Sequence, residues 1–210
     1  MKHYYDIIQG TDEWLQIRCG RITATSCSEL IMEKKSNKGY QDLIKRIAYE
    51  RHTGELAESW GGNKWTDRGK ELELFAREAF EFETFKKVNE IGFIGDDKIG
   101  CSPDGLIGDD GMIEIKCLGY SAHIDLMKSM KIPTNYYNQM QYQLFVSGRK
   151  FNIFYAWHPK LRRVKIEVKP DALLFKRIET ALSEIEIEIE RTINLLSGRE
   201  SNSTNALRND

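Results

Sequence analysis

Residues 102–117, SPDGLIGDDGMIEIKC, constrain the fold of this chain more than any other stretch. Two largely apolar runs flank the turn sequence Gly-Asp-Asp-Gly, a pattern that is typical of a β-hairpin. The second run carries Glu114 and Lys116, and the alternation of a strand puts both side chains on one face. Because burying charges without partners costs free energy, the sequence predicts a partner group on that face.

In this hairpin, Asp104 is expected to lie near Glu114, since directly opposite side chains on paired strands are only about 5 Å apart. Two carboxylates at that separation repel each other unless a hard cation such as Mg²⁺ or Mn²⁺ binds between them. Lys116 would then lie beside the metal, where it can position or deprotonate a water molecule or stabilise charge on phosphate. The pattern predicts phosphodiester hydrolysis, and a surface ion pair of Glu114 and Lys116 is the alternative interpretation.

The overall composition is that of a globular protein with nearly balanced charge. The 210 residues are 40% hydrophobic and 30% charged, and the net charge of -1 excludes a histone-like polycation and an acidic tail protein. Nucleic-acid binding remains compatible with this balance, because a local cluster of Lys and Arg is what binds phosphate. The sequence has no membrane-spanning run and no apolar signal-peptide core, so we expect a cytoplasmic protein without membrane contact.

The order of the apolar patterns predicts helices, a strand meander, further helices, a strand pair and a last helix. Such an order is typical of an α/β or α+β domain with a central mixed sheet flanked by helices. Among the expected helices are 23–31, 40–52, 65–84 and 171–196. The chain is expected to form a single domain over residues 1–196, followed by a disordered tail at 197–210.

The helix at 65–84 has the strongest apolar periodicity in the N-terminal half of the chain. Its predicted buried face consists of residues at three- and four-residue spacing: Leu72, Phe75, Ala76, Ala79 and Phe80. Glu73 lies next to that stripe. In the last helix, the run EIEIEIER alternates with a period of two, so its buried face is left open.

Four stretches of the sequence resemble the phage-type alkaline exonucleases typified by lambda exonuclease, a branch of the restriction-endonuclease-like nucleases with a PD-(D/E)xK signature. They are QGTDEWLQIRCGRITAT, RGKELELFAREAFEF, SPDGLI with IEIKC, and YYNQMQYQLFVSG. They occur in the family's order and at about its spacing, and the resemblance spans roughly residues 5–195. The resemblance implies an α/β restriction-endonuclease-like fold.

The resemblance also implies a metal-dependent catalytic site. Asp104 and Glu114 match the metal-binding carboxylates, and Lys116 matches the catalytic lysine. Further roles fall on the main-chain carbonyl of Ile115 as an extra ligand, on Glu73 as the helix glutamate near the metal, and on Gln139 as the glutamine that contacts metal-bound water or the scissile phosphate. The implied cofactor is Mg²⁺, with Mn²⁺ as a substitute and two ions per active site.

A second implied site holds the terminal 5′-phosphate of DNA. Arg18 matches the family's phosphate-binding arginine, and its fork of donors suits a phosphate bidentately. Ser102 matches one serine of the phosphate pocket, whereas the family's other serine falls on Thr25, with Ser26 following, and either hydroxyl could serve. Gln139 also belongs to the DNA-binding set. The basic loop of the family falls on three lysines that do not align residue for residue: Lys34, Lys35 and Lys38.

The implied activity is Mg²⁺-dependent 5′-to-3′ digestion of double-stranded DNA from its ends, which releases mononucleotides and leaves a 3′ single-stranded overhang. The family forms a toroidal homotrimer and works with a single-strand-annealing protein in phage or prophage recombination, inside the bacterial host cell. We therefore expect double-stranded DNA ends, two further copies of the chain and such an annealing protein as partners.

Three alternatives remain open at this point. Another PD-(D/E)xK nuclease would be a site-specific endonuclease or a CRISPR-adaptation nuclease with an iron–sulfur cluster. The four cysteines lack a CxxC pairing, however, and are expected to be small buried residues. A non-catalytic DNA-end-binding scaffold is the third alternative, although Asp104, Glu114 and Lys116 are all present.

Overall fold

The computed structural model describes residues 1–32, 36–57 and 64–199, and for residues 64–71 it describes the main chain alone. The α-helices are α1 (Asp12–Arg18), α2 (Cys27–Leu30), α3 (Lys38–Thr53), α4 (Lys64–Thr84), α5 (Tyr120–Ser129), α6 (Thr134–Ser147) and α7 (Ala172–Leu196). The strands are β1 (Lys2–Tyr4), β2 (Ile22–Thr23), β3 (Phe93–Gly95), β4 (Ile99–Cys101), β5 (Gly105–Ile107), β6 (Gly111–Lys116), β7 (Phe151–Ala156) and β8 (Val164–Val168).

These strands form two mixed sheets of four strands each, in the orders β1-β3-β4-β2 and β5-β6-β7-β8. Each sheet contains one parallel pair, β2 with β4 and β6 with β7. The sequence predicts one central mixed sheet, whereas the structure has two: β1 to β4 belong to the first sheet and β5 to β8 to the second. Ser102, Pro103 and Asp104 link those two strands, and a proline has no N–H group with which to continue a ladder.

The predicted acidic hairpin is present as β5 and β6. Gly105 pairs with Ile113 and Ile107 pairs with Gly111 in antiparallel register. Extended by one residue, that register sets Asp104 opposite Glu114. Gly108 begins the connecting turn with a φ of 56°, a left-handed conformation that glycine adopts without steric cost.

Helix α7 contains the run EIEIEIER, whose buried face the sequence left open. Asp171 caps the helix by accepting hydrogen bonds from the N–H groups of Leu173 and Leu174. Ile185 and Ile189 are buried, whereas Ile187 is 55% exposed. The buried residues recur at three to four positions, so the run EIEIEIER is helical and one isoleucine of its three faces away from the core.

The buried face of α4 is narrower than the sequence predicts. Ala76 and Phe80 are buried, and the Phe80 ring packs edge-on against Tyr155 at a centroid distance of 5.2 Å. Phe75 was expected in the same stripe but is 56% exposed. The difference arises because α4 contacts β6 with one side only, and Phe75 is turned about 100° from Ala76 on the helix.

The segment predicted as one helix over residues 23–31 contains three elements. Thr23 ends strand β2, residues 24–26 form a 3₁₀ turn, and only Cys27–Leu30 are α-helical. Ile22 pairs with Ile99 in the first sheet, so tertiary pairing overrides the local helical pattern. At the other end of the chain, most of the predicted tail, residues 200–210, lies outside the described residues.

An ion-pair network joins α3 to α7. Arg51 donates to both carboxylate oxygens of Glu186, at 2.9 and 2.8 Å, and its Nε donates to the carbonyl of Gly20 at 2.8 Å. Lys98 adds an ion pair to Glu186 at 3.0 Å. Burial alone would raise the pKa of Glu186, but the hydrogen bonds and charges of Arg51 and Lys98 outweigh it and lower that pKa.

We predict that Glu186→Gln lowers the free energy of unfolding by about 1–3 kcal/mol, because Arg51 loses its charged partner in a largely buried position. Urea unfolding at neutral pH measures this loss. The difference from the wild type should shrink as the pH falls from 4.5, the ordinary pKa of the Glu186 carboxyl, through its lowered native pKa, because the unfolded chain then takes up a proton that the native ion pair resists. Glu188→Gln is the matched control: its pair with Arg191 is exposed and contributes about 0–1 kcal/mol. Equal losses in both variants would contradict the prediction.

Candidate active site

The end of the acidic hairpin holds two carboxylates, the buried Glu114 and the partly buried Asp104. Glu114 is 1% exposed, and Asp104 accepts a hydrogen bond from the Ile115 N–H at 2.6 Å through Oδ2. Burial and then the charge of Glu114 raise the pKa of Asp104 well above its ordinary value, although Lys116 opposes that shift. The ionised form of Asp104 is therefore disfavoured by burial and by the neighbouring charge of Glu114.

Lys116 lies on the same face of β6 as Glu114, as the alternation of the strand predicts. Its Nζ donates to Glu114 Oε1 at 2.5 Å and lies 5.2 Å from the centre of the Tyr136 ring. Burial lowers the pKa of Lys116, but the charges of Glu114 and Asp104 outweigh burial and raise it. Lys116 is thus an ammonium group in this form of the site, suited to donating hydrogen bonds to phosphate oxygens.

Helix α6 supplies two glutamines to the carboxylate of Glu114. Gln139 Nε2 donates to Oε1 at 2.7 Å, and Gln143 Nε2 donates to Oε2 at 2.6 Å. Gln141 faces away, as expected from helical geometry, and bonds with the Lys169 carbonyl and the Asp171 N–H. Sequence reasoning singled out Gln139 and missed Gln143, although their spacing of four residues puts both on one face of a helix.

Glu73 approaches the site from α4. Its Oε1 accepts a hydrogen bond from Arg77 at 3.0 Å, and Arg77 also contacts Glu90. The charge of Glu73 is one of the contributions that raise the pKa of Asp104, so the two carboxylates are close enough to interact. The structure brings together five predicted residues, which are Asp104, Glu114, Ile115, Lys116 and Gln139, with Glu73 at the side.

The oxygen-rich character of this site fits a hard cation. Carboxylate and carbonyl oxygens are the ligands that Mg²⁺ and Mn²⁺ take, and a cation would relieve the repulsion that raises the pKa of Asp104. Within the described residues, three His, Cys, Asp or Glu side chains do not converge on one point. The donor set is therefore the two carboxylates of the hairpin with main-chain oxygen and water.

A separate cleft of about 150 Å³ lies beside the end of α1. It is lined by Leu15, Arg18, Thr23, Thr25, Ser26, Arg46, Glu50, Leu56 and Ala57. Arg18 packs over the Trp14 ring at 4.2 Å, and Arg46 Nη2 donates to Ser26 Oγ at 3.4 Å. Burial and then the charge of Arg46 lower the pKa of Arg18 to about 10. Two arginines that face one cleft repel each other, and a bound anion would remove that repulsion.

Sequence reasoning found Arg18 and Thr25 in this cleft but missed Arg46. Arg46 lies on α3, where it pairs with Glu50 at 3.3 Å four residues further on. That spacing is the usual one for a helix-surface ion pair, so the sequence carried no sign that the guanidinium also faces the cleft. Only the packing of α3 against the segment around Ser26 places it there.

Ser102 and Lys38 are not among the residues that line this cleft. Ser102 Oγ donates to the Gly92 carbonyl at 2.7 Å and accepts from Trp14 Nε1 at 2.9 Å. Ser102 therefore supports the tryptophan on which Arg18 packs. Lys38 is exposed at the first position of α3, and Lys34 and Lys35 lie outside the described residues.

The cysteines behave as structural residues. Cys27 and Cys101 are buried, Cys19 and Cys117 are partly buried, and none of the four is in a disulfide. Burial raises the pKa of Cys27 to about 12 and also raises that of Cys101. A thiol with a raised pKa is a poor metal ligand, so the cysteines do not favour the iron–sulfur alternative.

The comparisons with known proteins agree on the class of protein to which the chain belongs. The family model of the YqaJ-like viral recombinase domain matches residues 13–150. The crystal structure of an alkaline exonuclease from Laribacter hongkongensis has a TM-score of 0.81 and 32% identity, covering 90% of this chain and 97% of that one. The same values hold for LHK-Exo in complex with dAMP. No curated protein matches the chain.

A phage-related exonuclease from Haemophilus somnus 129PT shares the fold at a TM-score of 0.65, with 15% identity over 84% of this chain and 96% of that one. Together with the acidic hairpin, these likenesses define a nuclease with the restriction-endonuclease-like fold. The chain belongs to the YqaJ-like viral recombinase family. The predicted α/β fold, the predicted phage-type alkaline exonuclease family and the predicted enzyme class are confirmed.

In the parts of the chain that the structure describes, every helix is too short or too polar to cross a membrane.

We predict that Asp104→Asn raises the melting temperature of the metal-free protein at neutral pH by several degrees. The folded protein retains the Asp104 proton at pH values where the unfolded chain has lost it, so stability falls as the pH rises from 3.8, its ordinary value, towards the raised pKa. Substitution by asparagine removes that loss of stability. A gain of about 1 kcal/mol in the free energy of unfolding raises the melting temperature by roughly 2–4 °C in a domain of this size. Thermal unfolding in EDTA measures the shift.

The same variant tests the metal site. Mg²⁺ should raise the melting temperature of the wild type and leave that of Asp104→Asn nearly unchanged, because a ligand stabilises only the state that binds it. A metal-free variant less stable than the wild type at neutral pH would show that the carboxylates are not under repulsion.

Proposed function

We propose that the chain is a Mg²⁺-dependent 5′-to-3′ exonuclease that digests the 5′-ended strand of double-stranded DNA to mononucleotides and leaves a 3′ overhang. The observation that carries the proposal is the carboxylate pair of the partly buried Asp104 and the buried Glu114, with Lys116 bonded to Glu114 at 2.5 Å. The family and the fold supply the class of enzyme. The oxygen donors offer a metal-binding site, and the arginine-lined cleft offers a phosphate-binding site. The proposed reaction needs both.

In this proposal, Asp104, Glu114 and the Ile115 carbonyl hold the metal, with Glu73 at the side, and Mn²⁺ can replace Mg²⁺. Two bound ions would activate a water nucleophile and neutralise charge on the scissile phosphate. Lys116 donates hydrogen bonds to the phosphate oxygens, since its raised pKa keeps the ammonium form. Gln139 orients Glu114 and reaches the phosphate or its attacking water from α6.

The cleft around Arg18 is proposed to bind the terminal 5′-phosphate. A guanidinium binds phosphate through two parallel hydrogen bonds, and Arg46, Thr25 and Ser26 offer further donors at the same cleft. Lys34, Lys35 and Lys38 are proposed to contact the DNA backbone nearby. Because only a DNA end presents such a phosphate, this cleft would make cleavage depend on ends and start at the 5′ side.

We further propose that the enzyme is one domain over residues 1–196 that assembles as a ring-shaped homotrimer around the DNA. Exposed apolar side chains on and after α4 support an interface there, with Phe82 82% and Phe85 94% exposed. The proposed setting is phage or prophage recombination in the bacterial cytoplasm, where a single-strand-annealing protein would bind the overhang.

Digestion of linear duplex DNA labelled separately at its 5′ and 3′ ends tests the activity. With Mg²⁺, the 5′ label should be released early as mononucleotide, and EDTA should stop the release. Lys116→Ala should lower the cleavage rate by about 10²–10³-fold with DNA binding largely intact, because its contribution lies in the transition state.

A covalently closed circle is the control substrate and should survive intact. Cutting of the circle would assign an endonuclease instead, and binding of ends without any cleavage by the wild type would assign a DNA-end scaffold. Early release of the 3′ label would reverse the proposed polarity.

The phosphate cleft generates a second test. The wild type should digest 5′-phosphorylated ends roughly 10–100-fold faster than 5′-hydroxyl ends, as expected for charge-assisted hydrogen bonds of about 1.5–3 kcal/mol. Arg18→Met and Arg46→Met should each reduce that ratio, and Arg191→Met, which removes an exposed arginine of α7, should leave it unchanged. An unchanged ratio in both cleft variants would contradict the assignment of the cleft.

A further inference from the structure

We infer that Gln143 and Asn152 form a buried relay that positions Glu114, so that one chosen carboxylate oxygen, Oε1, faces the reacting phosphate and its cation. The inference rests on the proposed function, since it gives Glu114 a ligand's role. Gln143 lies within the stretch YYNQMQYQLFVSG but was given no role there, and Asn152 lies outside all four quoted stretches. Both are positioning residues, because they act through Glu114 and do not reach the solvent side of the site.

The first step of the relay is the contact between Gln143 and Glu114. Gln143 is fully buried, and its Nε2 lies 2.6 Å from Glu114 Oε2. An ionised carboxylate can only accept hydrogen bonds, so the Gln143 amide must turn its NH₂ group towards Glu114. This orientation leaves the Gln143 carbonyl oxygen pointing the other way, into the core.

Asn152 completes the second step from strand β7. Its Nδ2 donates to Gln143 Oε1 at 2.7 Å, and Asn152 is fully buried as well. Its own Oδ1 is buried and has no hydrogen-bond partner among the described residues. An apolar side chain would avoid the cost of burying that oxygen unpaired, so the contribution of Asn152 is the donor that it directs at Gln143.

The relay divides the two oxygens of Glu114 between the core and the site. Oε2 is held from behind by Gln143, whereas Oε1 accepts from Lys116 and Gln139, the two donors on the more exposed side. Rotation of the carboxylate would break the Gln143 bond and leave buried polar atoms unpaired. Glu114 therefore presents Oε1 in a fixed direction without reorganising when substrate binds.

The test compares Gln143→Met with Gln141→Met, a control on the same helix. Both glutamines are fully buried and each makes two side-chain hydrogen bonds, but those of Gln141 go to the Lys169 carbonyl and the Asp171 N–H. The two substitutions should lower the melting temperature by similar amounts. Any difference between them in metal binding or catalysis then reports on the relay and not on stability.

The probe is Mn²⁺ itself, titrated into DNA-free protein and followed by electron paramagnetic resonance, with kcat on 5′-phosphorylated duplex as the second readout. Gln143→Met should weaken Mn²⁺ binding and lower kcat, each by roughly 10–100-fold, as expected when a group that orients a metal ligand is removed. Gln141→Met should bind Mn²⁺ and turn over as the wild type does.

Asn152→Leu is the second variant, and it leaves α6 untouched. It should change Mn²⁺ binding and kcat in the same direction as Gln143→Met but by less, because Gln143 keeps its bond to Glu114 and loses only its fixed orientation. The double variant should be no worse than Gln143→Met alone, since Asn152 acts through Gln143. If circular dichroism shows that Gln143→Met does not fold, the test compares Mn²⁺ binding and kcat of Asn152→Leu with those of Gln141→Met.

If Gln143→Met binds Mn²⁺ and turns over as the wild type does, the relay is overturned while the proposed nuclease stands. The same outcome in Asn152→Leu overturns the relay if Gln143→Met does not fold. Equal losses in Gln141→Met and Gln143→Met would overturn it too, because the effect would then be one of stability. A wild-type protein that neither binds Mn²⁺ nor cleaves DNA would overturn the proposed function, and this inference with it.

Discussion

The buried carboxylate of Glu114 is the interaction on which the rest of this site depends. It lies on the central strand pair of the second sheet, 1% exposed, and it accepts hydrogen bonds from Lys116, Gln139 and Gln143. A charge at that depth is stable only with several donors around it. Helix α6 is joined to β6 through these hydrogen bonds of Gln139 and Gln143. The charge of Glu114 adds to burial in raising the pKa of Asp104.

Much of the second sheet was predictable from local pattern. The Gly-Asp-Asp-Gly turn, the apolar runs and the alternation of Glu114 and Lys116 define a hairpin without reference to the rest of the chain. Gln143 and Arg46 could not be found in the same way, because each owes its role to a partner far along the sequence. Phe75 and Thr23 were misplaced for a related reason: periodicity predicts an apolar face or a helix, whereas the neighbouring elements decide what is buried.

The two sites divide between the two halves of the fold. The arginine-lined cleft uses α1, α3 and the segment after β2, beside the first sheet, while the carboxylates lie on the second sheet. Each half carries its own unfavourable charge: like-charged arginines in the cleft, and like-charged carboxylates in the hairpin. One half is suited to an anion and the other to a cation, and in the proposed function a DNA end with its metal ions would supply both.

Residues 102–104, which link the two sheets, also connect the arginine-lined cleft to the carboxylate pair. Ser102 holds the Trp14 indole on which Arg18 packs, and Asp104, two residues later, stands at the carboxylate pair. Pro103 between them restricts the backbone. In the proposed enzyme, this link of three residues would hold the phosphate cleft and the carboxylates at a constant separation, which depends on the protein backbone and not on the bases of the DNA.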